Sequence, residues 1–236
     1  MNIYAGILAG GIGGRMGADR PKQFVELNGK AVLLHTLSRF AAIPEFKAIY
    51  IAVVAEYMEY TRQLIATDFG SDQRIKIIAG GADRSGSLMN VIGEIDRNEA
   101  GDDALLVSHD AARPFVTERI IREGIDAAMS VGASNTVTPA VDTPVRSEDG
   151  ITVSSIPDRS GLYNTQTPQT FRTKDFAAAY QQLDQDTRAR ATDACKVLLA
   201  AGRTIAVVKG DPRNIKLTTP FDMLVAKAIL DEEADE

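Results

Sequence analysis

Short apolar runs alternate with helix-like segments along most of this chain, and that alternation limits the architecture more than any other feature. Strand candidates are Ile3–Leu8, Ala48–Val54, Ile75–Ala79, Ala104–Ser108, Thr136–Pro139 and Ile205–Val208. Between them, 3.6-residue periodicity marks Val32–Phe40, Tyr57–Thr67, Ser85–Ile95 and Glu118–Met129 as helices. Strands that alternate with helices in this way build a mainly parallel, Rossmann-like α/β sheet covered on both faces. Ligands of such sheets bind beyond the carboxyl ends of the strands. With 236 residues and no linker or repeat, the chain reads as a single domain over residues 1–236.

The first strand runs straight into Leu8-Ala9-Gly10-Gly11-Ile12-Gly13-Gly14-Arg15-Met16-Gly17, followed by Pro21-Lys22-Gln23. Glycines let backbone N–H groups approach an anion closely, and successive amides form a concave anion site. Arg15 adds a planar fork of donors and Lys22 a compact charge. Such a loop suits the phosphates of a nucleoside triphosphate. It is not a Walker A loop, which ends Gly-Lys-Ser/Thr. Nor is it the dinucleotide fingerprint, whose third glycine would fall on Met16. A tight strand-to-helix connection is the plainer alternative.

Other segments fall on the same sheet edge. His109-Asp110-Ala111-Ala112-Arg113-Pro114 follows a fully apolar strand. A carboxylate there, beside phosphates, suits Mg²⁺, which takes hard oxygens and commonly only one or two carboxylates. Asp110 and Arg113 could equally form a structural ion pair. Gly80-Gly81-Ala82-Asp83-Arg84-Ser85-Gly86-Ser87 is a second glycine-rich turn, where Asp83 or Ser85 can cap a helix. Thr192-Asp193-Ala194-Cys195-Lys196 reads as a capped helix with Cys195 in the core. Thr219-Pro220-Phe221-Asp222 reads as the start of another, ending near Leu230 before an acidic, frayed tail.

From Asp142 to Gln169 the alternation breaks into Ser, Thr, Pro, Asp and Gly. This stretch reads as a protruding β-arm, either an ordinary surface hairpin or one that packs on a second copy of the chain.

Composition narrows the field. A net charge of -6 argues against a general nucleic-acid surface. One cysteine and two histidines leave little for a zinc site. No apolar run approaches the roughly 20 residues of a membrane helix. The start Met1-Asn2-Ile3-Tyr4 lacks a signal-peptide pattern, so a cytoplasmic protein with no membrane partner is expected.

In combination these motifs resemble the cytidylyltransferases that act on polyol phosphates. Leu8-Ala9-Gly10-Gly11-x-Gly13-x-Arg15-Met16, Pro21-Lys22-Gln23, Asp83-Arg84, His109 to Pro114, Thr167-Pro168-Gln169, Thr192-Asp193 and Ile215-Lys216 carry the resemblance. It extends from Ile7 to about Ala228 and implies a nucleotidyltransferase fold. It implies that Arg15, Lys22 and Lys216 act on the reacting phosphates. Leu8, Ala9, Gly10, Gly11, Gly13, Gly81, Asp83, Ser87, Asp110 and Ala111 would hold CTP, with Asp110 also on Mg²⁺ or another divalent cation. Arg113, Thr143, Arg159 and Thr167 would contact the polyol phosphate. The arm at about 142–169 would exchange across a homodimer, taking Arg159 to the partner's site.

Within the family, Leu162 to Gln169, Thr192 to Lys196 and Asn214 to Pro220 look closer to the D-ribitol 5-phosphate branch, whose product is CDP-ribitol, used in teichoic acid and cell-wall synthesis. The 2-C-methyl-D-erythritol 4-phosphate branch, which serves isoprenoid synthesis, commonly has Arg where Thr219 stands. It is the alternative acceptor. A nucleotide-binding regulator without catalysis, a dinucleotide-dependent oxidoreductase and a hexose-1-phosphate enzyme fit less well. The last usually carries Pro-Leu-Thr soon after the loop, where this chain has Gly17-Ala18-Asp19.

Overall fold

A computed structural model describes residues 1–11, 20–98, 104–191 and 193–235. In chain order the elements are β1 (Asn2–Ala9), β2 (Glu26–Leu27), β3 (Lys30–Ala31), α1 (Val32–Ala41), β4 (Phe46–Val53), α2 (Met58–Phe69), β5 (Ile75–Ala79) and α3 (Arg84–Asn98). There follow β6 (Ala104–Asp110), α4 (Glu118–Val131), β7 (Ala133–Pro139), β8 (Tyr163–Arg172), α5 (Thr173–Gln182), α6 (Gln185–Arg190), α7 (Ala194–Ala200), β9 (Ala206–Lys209) and α8 (Pro220–Asp235). Seven strands form one sheet in the order β5-β4-β1-β6-β8-β7-β9. All are mutually parallel except β8, which runs antiparallel to both of its neighbours.

The parallel strands are apolar because both of their faces are covered. Alternate residues of β1, β4 and β6 (Ile7, Ile49, Ile51, Val107) pack with Leu33, Leu37 and Phe40 of α1 and Ile120 and Ile121 of α4. The intervening residues Tyr4, Tyr50, Ala52 and Leu106 meet Leu88, Val91 and Ile95 of α3 and Phe176 of α5. A smaller cluster of Leu27, Val32, Phe115, Leu217 and Ile229 seats α8 beside the glycine-loop end of the sheet. Among the described residues, no helix is long and apolar enough to cross a membrane.

Two sequence expectations are corrected. The arm does not extend to Gln169: from Tyr163 the chain is already β8, an interior strand. Its polarity conceals it, since Gln166, Thr167, Gln169 and Thr170 are all buried. Its glutamines meet their polar needs internally: Gln166 Nε2 donates to the Asp211 carbonyl and Gln169 Nε2 to Asn135 Oδ1. The Gln169 carboxamide oxygen accepts the Ala194 N–H at the start of α7. The acidic tail is the second correction, because α8 continues through it to Asp235.

The arm proper lies between β7 and β8. One antiparallel bridge, Arg146 to Ser155, pins it, and Asp149 caps its tip by accepting the Ile151 and Thr152 N–H groups. Gly150 sits there at φ +72°, where a side chain would be strained.

Phe171 of β8 is fully buried and stacks on Phe176, ring centroids 4.8 Å apart. Phe171→Ala should therefore lower the unfolding free energy by about 3–5 kcal/mol, read from urea unfolding.

Candidate active site

The ends of β1 and β6, the turn before α3, the Lys22 turn and Lys216 enclose one cavity of about 250 Å³. The glycine loop leaves β1 at Gly10, and Gly10 and Gly11 form one wall. Gln23 holds that wall in place: its Nε2 donates to the Ala9 carbonyl at 2.6 Å. Lys22 precedes it in a short 3₁₀ turn and lines the cavity, its Cε close to Gly11.

The opposite wall is Gly81 to Ser87. Asp83 caps α3 by accepting the Gly86 N–H at 2.7 Å. Ser87 Oγ accepts the Gly81 N–H at 3.0 Å and donates to the Asp83 carbonyl at 2.9 Å. The turn is so tight that a Cβ on Gly81 would strike the Gly86 backbone. Capping and cavity lining therefore coexist in this segment.

Asp110 forms the floor. Lys216 Nζ donates to its Oδ2 at 2.7 Å, Arg84 Nε lies 3.4 Å from its Oδ1, and Arg113 Nε lies 3.9 Å from its Oδ2. Burial alone would push the Asp110 pKa up. The charges of Arg84 and Lys216, the Lys216 hydrogen bond and the charge of Arg113 outweigh burial and hold it well below the usual carboxylate range. Two buried guanidinium nitrogens, Arg84 Nη1 and Arg113 Nε, find no protein hydrogen-bond acceptor. Arg84 lines the cavity with Lys22 and Lys216, which leaves the floor suited to an anion rich in acceptor oxygens. The cavity thus gathers Lys22, Arg84 and Lys216 in a chain whose net charge is -6.

A divalent cation fits in one form. Among the described residues no group of three or more His, Cys, Asp or Glu side chains is placed to hold a metal. Asp110 is one ionised hard-oxygen ligand facing the cavity, which matches Mg²⁺ held by a single carboxylate and substrate phosphates.

Of the residues expected from the sequence, Leu8, Gly10, Gly11, Lys22, Gly81, Asp83, Ser87, Asp110, Ala111 and Lys216 all line this cavity. Gly13 and Arg15 lie outside the described residues. Ala9 is buried behind the wall and contributes its carbonyl to Gln23. Arg113 and Thr167 sit behind the floor: Arg113 Nη1 donates to the Asn214 carbonyl, and Thr167 Oγ1 accepts the Asp110 N–H at 3.1 Å. Thr143 and Arg159 are exposed on the arm, where Arg159 donates to the Val141 carbonyl. Arg84 was not expected among the site residues. Its sequence signal was its place in the Asp83-Arg84 motif, where an arginine otherwise reads as an ordinary residue of a first helical turn. Gln23 carried a signal in Pro21-Lys22-Gln23, and Asn214 only as the first residue of the Asn214 to Pro220 segment.

Cys195 is buried in the core as expected, and burial pushes its thiol up to about 12, so it is unreactive. Burial likewise pushes His109 down to about 4 from 6.5. The unfolded chain protonates His109 near pH 6.5 while the folded chain does not until about pH 4, so the unfolded state binds more protons across that window. Stability should fall as pH drops from 6.5 to 4, by on the order of 3 kcal/mol from this group. Asp110, whose pKa is depressed, adds stability that is lost only below its ordinary value of 3.8. Urea unfolding from pH 7 to 4.5 should show the decline, and His109→Gln should flatten it.

A family model for 2-C-methyl-D-erythritol 4-phosphate cytidylyltransferase (IspD) matches residues 3–232. Among solved structures, 4-diphosphocytidyl-2C-methyl-D-erythritol synthase from Anaerococcus prevotii is 27% identical, covering 98% of this chain and 96% of that one at a TM-score of 0.79. The 2-C-methyl-D-erythritol 4-phosphate cytidylyltransferase of Francisella tularensis is 29% identical, covering 97% and 99%, at 0.80. That of Thermus thermophilus is 26% identical, covering 98% and 100%, at 0.73. An α/β sheet of this topology, a cationic cavity built on a glycine loop, and a match over nearly the whole chain lead to one conclusion: the chain belongs to the IspD family of cytidylyltransferases.

Proposed function

We propose that the enzyme transfers the cytidylyl group of CTP to 2-C-methyl-D-erythritol 4-phosphate, releasing pyrophosphate. The family match over residues 3–232 carries this choice of acceptor. Ribitol 5-phosphate, the acceptor first expected from the sequence, is the second reading. It is favoured by Thr192 to Lys196 and by Thr219, and no comparison supports it.

In the proposed reaction a phosphate oxygen of the acceptor attacks the α-phosphorus of CTP in line. A new P–O bond forms as the bond from the α-phosphorus to the bridging oxygen breaks, and pyrophosphate leaves with that electron pair. A phosphate dianion needs no general base, so catalysis is positioning and charge stabilisation. The amides of Gly10 and Gly11 and the cations Lys22 and Arg15 grip the triphosphate. Gly81, Asp83 and Ser87 face the base. Lys216 offsets charge at the reacting phosphorus, and Arg113 serves the acceptor phosphate. A divalent cation held by Asp110 would neutralise phosphate charge when bound. Lys216 then exchanges its Asp110 contact for phosphate oxygens.

The chain is read as a single domain whose arm pairs two copies. Val141, Val145, Ile151, Val153 and Ile156 are all exposed on the arm, Ile151 at 88%, and a second copy would cover them. Thr143 and Arg159 then reach toward the partner's acceptor site. Ile151→Asp with Ile156→Asp should convert a dimer to a monomer in analytical ultracentrifugation with the fold intact.

Pyrophosphate release, measured for each NTP with Mg²⁺ and each of the two polyol phosphates, decides the function. Release with CTP and methylerythritol 4-phosphate is expected. A preference for ribitol 5-phosphate would replace the acceptor, and no release with either would defeat the assignment. Lys22→Ala and Lys216→Ala should each lower kcat by about 10²-fold.

A further inference from the structure

Four side chains behind the floor of the cavity close a ring of hydrogen bonds. His109 Nε2 donates to the Arg113 carbonyl at 3.0 Å, and Arg113 Nη1 donates to the Asn214 carbonyl at 2.7 Å. Asn214 Nδ2 donates to the Thr167 carbonyl at 2.8 Å, and the Thr167 hydroxyl returns to His109 Nδ1 at 3.0 Å. The direction of each bond follows from its partners. A carbonyl only accepts, so Nε2 carries the proton. Thr167 Oγ1 already accepts the Asp110 N–H, so its own proton points to Nδ1, which accepts. The ring is consistent with one neutral tautomer of His109.

The ring joins three separate stretches of chain: the end of β6 with the turn after it, the middle of β8, and the loop before α8. From it hang the groups that meet phosphate in the proposed reaction. Asp110 follows His109 directly, Arg113 is a member, and Lys216 lies two residues beyond Asn214. His109 and Asn214 are fully buried, and Phe40 packs on the imidazole at 5.1 Å between ring centroids. His109 does not line the cavity.

We infer that His109 is a positioning residue for cytidylyl transfer. Its imidazole sets the spacing of Asp110, Arg113 and Lys216 through the ring with Thr167 and Asn214, without touching substrate. The inference rests on the roles proposed for Arg113 and Lys216, but its test separates from theirs.

The chain has two histidines, so ¹⁵N spectra of the ring nitrogens are readily assigned with His109→Gln as the reference. The neutral Nε2–H tautomer with an accepting Nδ1 is expected; the Nδ1–H tautomer would overturn the ring even in an active enzyme. His109→Gln can keep a donor toward the Arg113 carbonyl but offers Thr167 no acceptor at the Nδ1 position. It should lower kcat by about 10- to 100-fold, the scale for losing a group that orients a working residue, with KM for CTP within about threefold of wild type. Thr167→Val removes the same hydrogen bond from the other side. The double variant should be no more than about threefold worse than the poorer single variant, because both break one linkage. Effects that multiply, or a His109→Gln enzyme with normal kcat and only a lower Tm, would overturn the proposal. A wild type inactive with both polyol phosphates but showing the Nε2–H tautomer would defeat the acceptor assignment and leave the ring in place.

Discussion

The Asp110 carboxylate, at the end of a fully buried strand, is the charge around which the site is arranged. An isolated carboxylate in that position would be costly, and burying it demands counter-charges and hydrogen bonds. Lys216, Arg84 and Arg113 meet that demand from three directions. They bring together the loop before α8, the start of α3 and the turn after β6. The same cations that stabilise one carboxylate make the cavity above it positive. Counter-charges that the buried carboxylate requires are thus what gives an acidic chain a cationic pocket.

This arrangement also reconciles two readings of the His109 to Pro114 segment. Asp110 and Arg113 do lie near each other as a structural ion pair, and Asp110 also faces the cavity. The pairing is uneven: Arg113 is held at 3.9 Å, and its Nε lacks a hydrogen-bond acceptor. A site that leaves buried donors unspent departs from full polar satisfaction, and such departures concentrate where ligands bind.

The parallel half of the molecule was legible because its signals are local. Apolar runs at β1, β4, β5 and β6 and periodic helices between them need no distant information. The first glycine-loop residues, Lys22, the Gly81 turn and Asp110 were legible for the same reason: each follows a strand or a tight turn directly. What escaped depends on contacts far apart in sequence. β8 is buried yet polar, because its glutamines are satisfied by Asn135, Asp211 and Asn214, and Thr167 by Asp110 and His109. Arg84 looks like any arginine at the start of a helix, and its value comes from Asp110, 26 positions away. Asn214 is invisible as a linker until β8 and the turn after β6 stand on either side of it. The choice of acceptor drew on short segments near Thr192, which lies outside the described residues, and Thr219, which does not line the cavity.

The reversed direction of β8 has a consequence for how this protein can change. Because the strand runs against its neighbours, the residues that enter it from the arm arrive at the ligand edge, not at the far side of the sheet. Between Pro139 and Tyr163 the chain leaves and re-enters at the same rim, anchored at both ends by β7–β8 pairing. Length and sequence in that excursion can drift without breaking the β7–β8 pairing, while every change falls on the rim of the sheet that carries the cavity. The excursion is thus the part of this rim that is free to vary, while the cavity walls are fixed to the sheet by β1, β6 and the turn before α3.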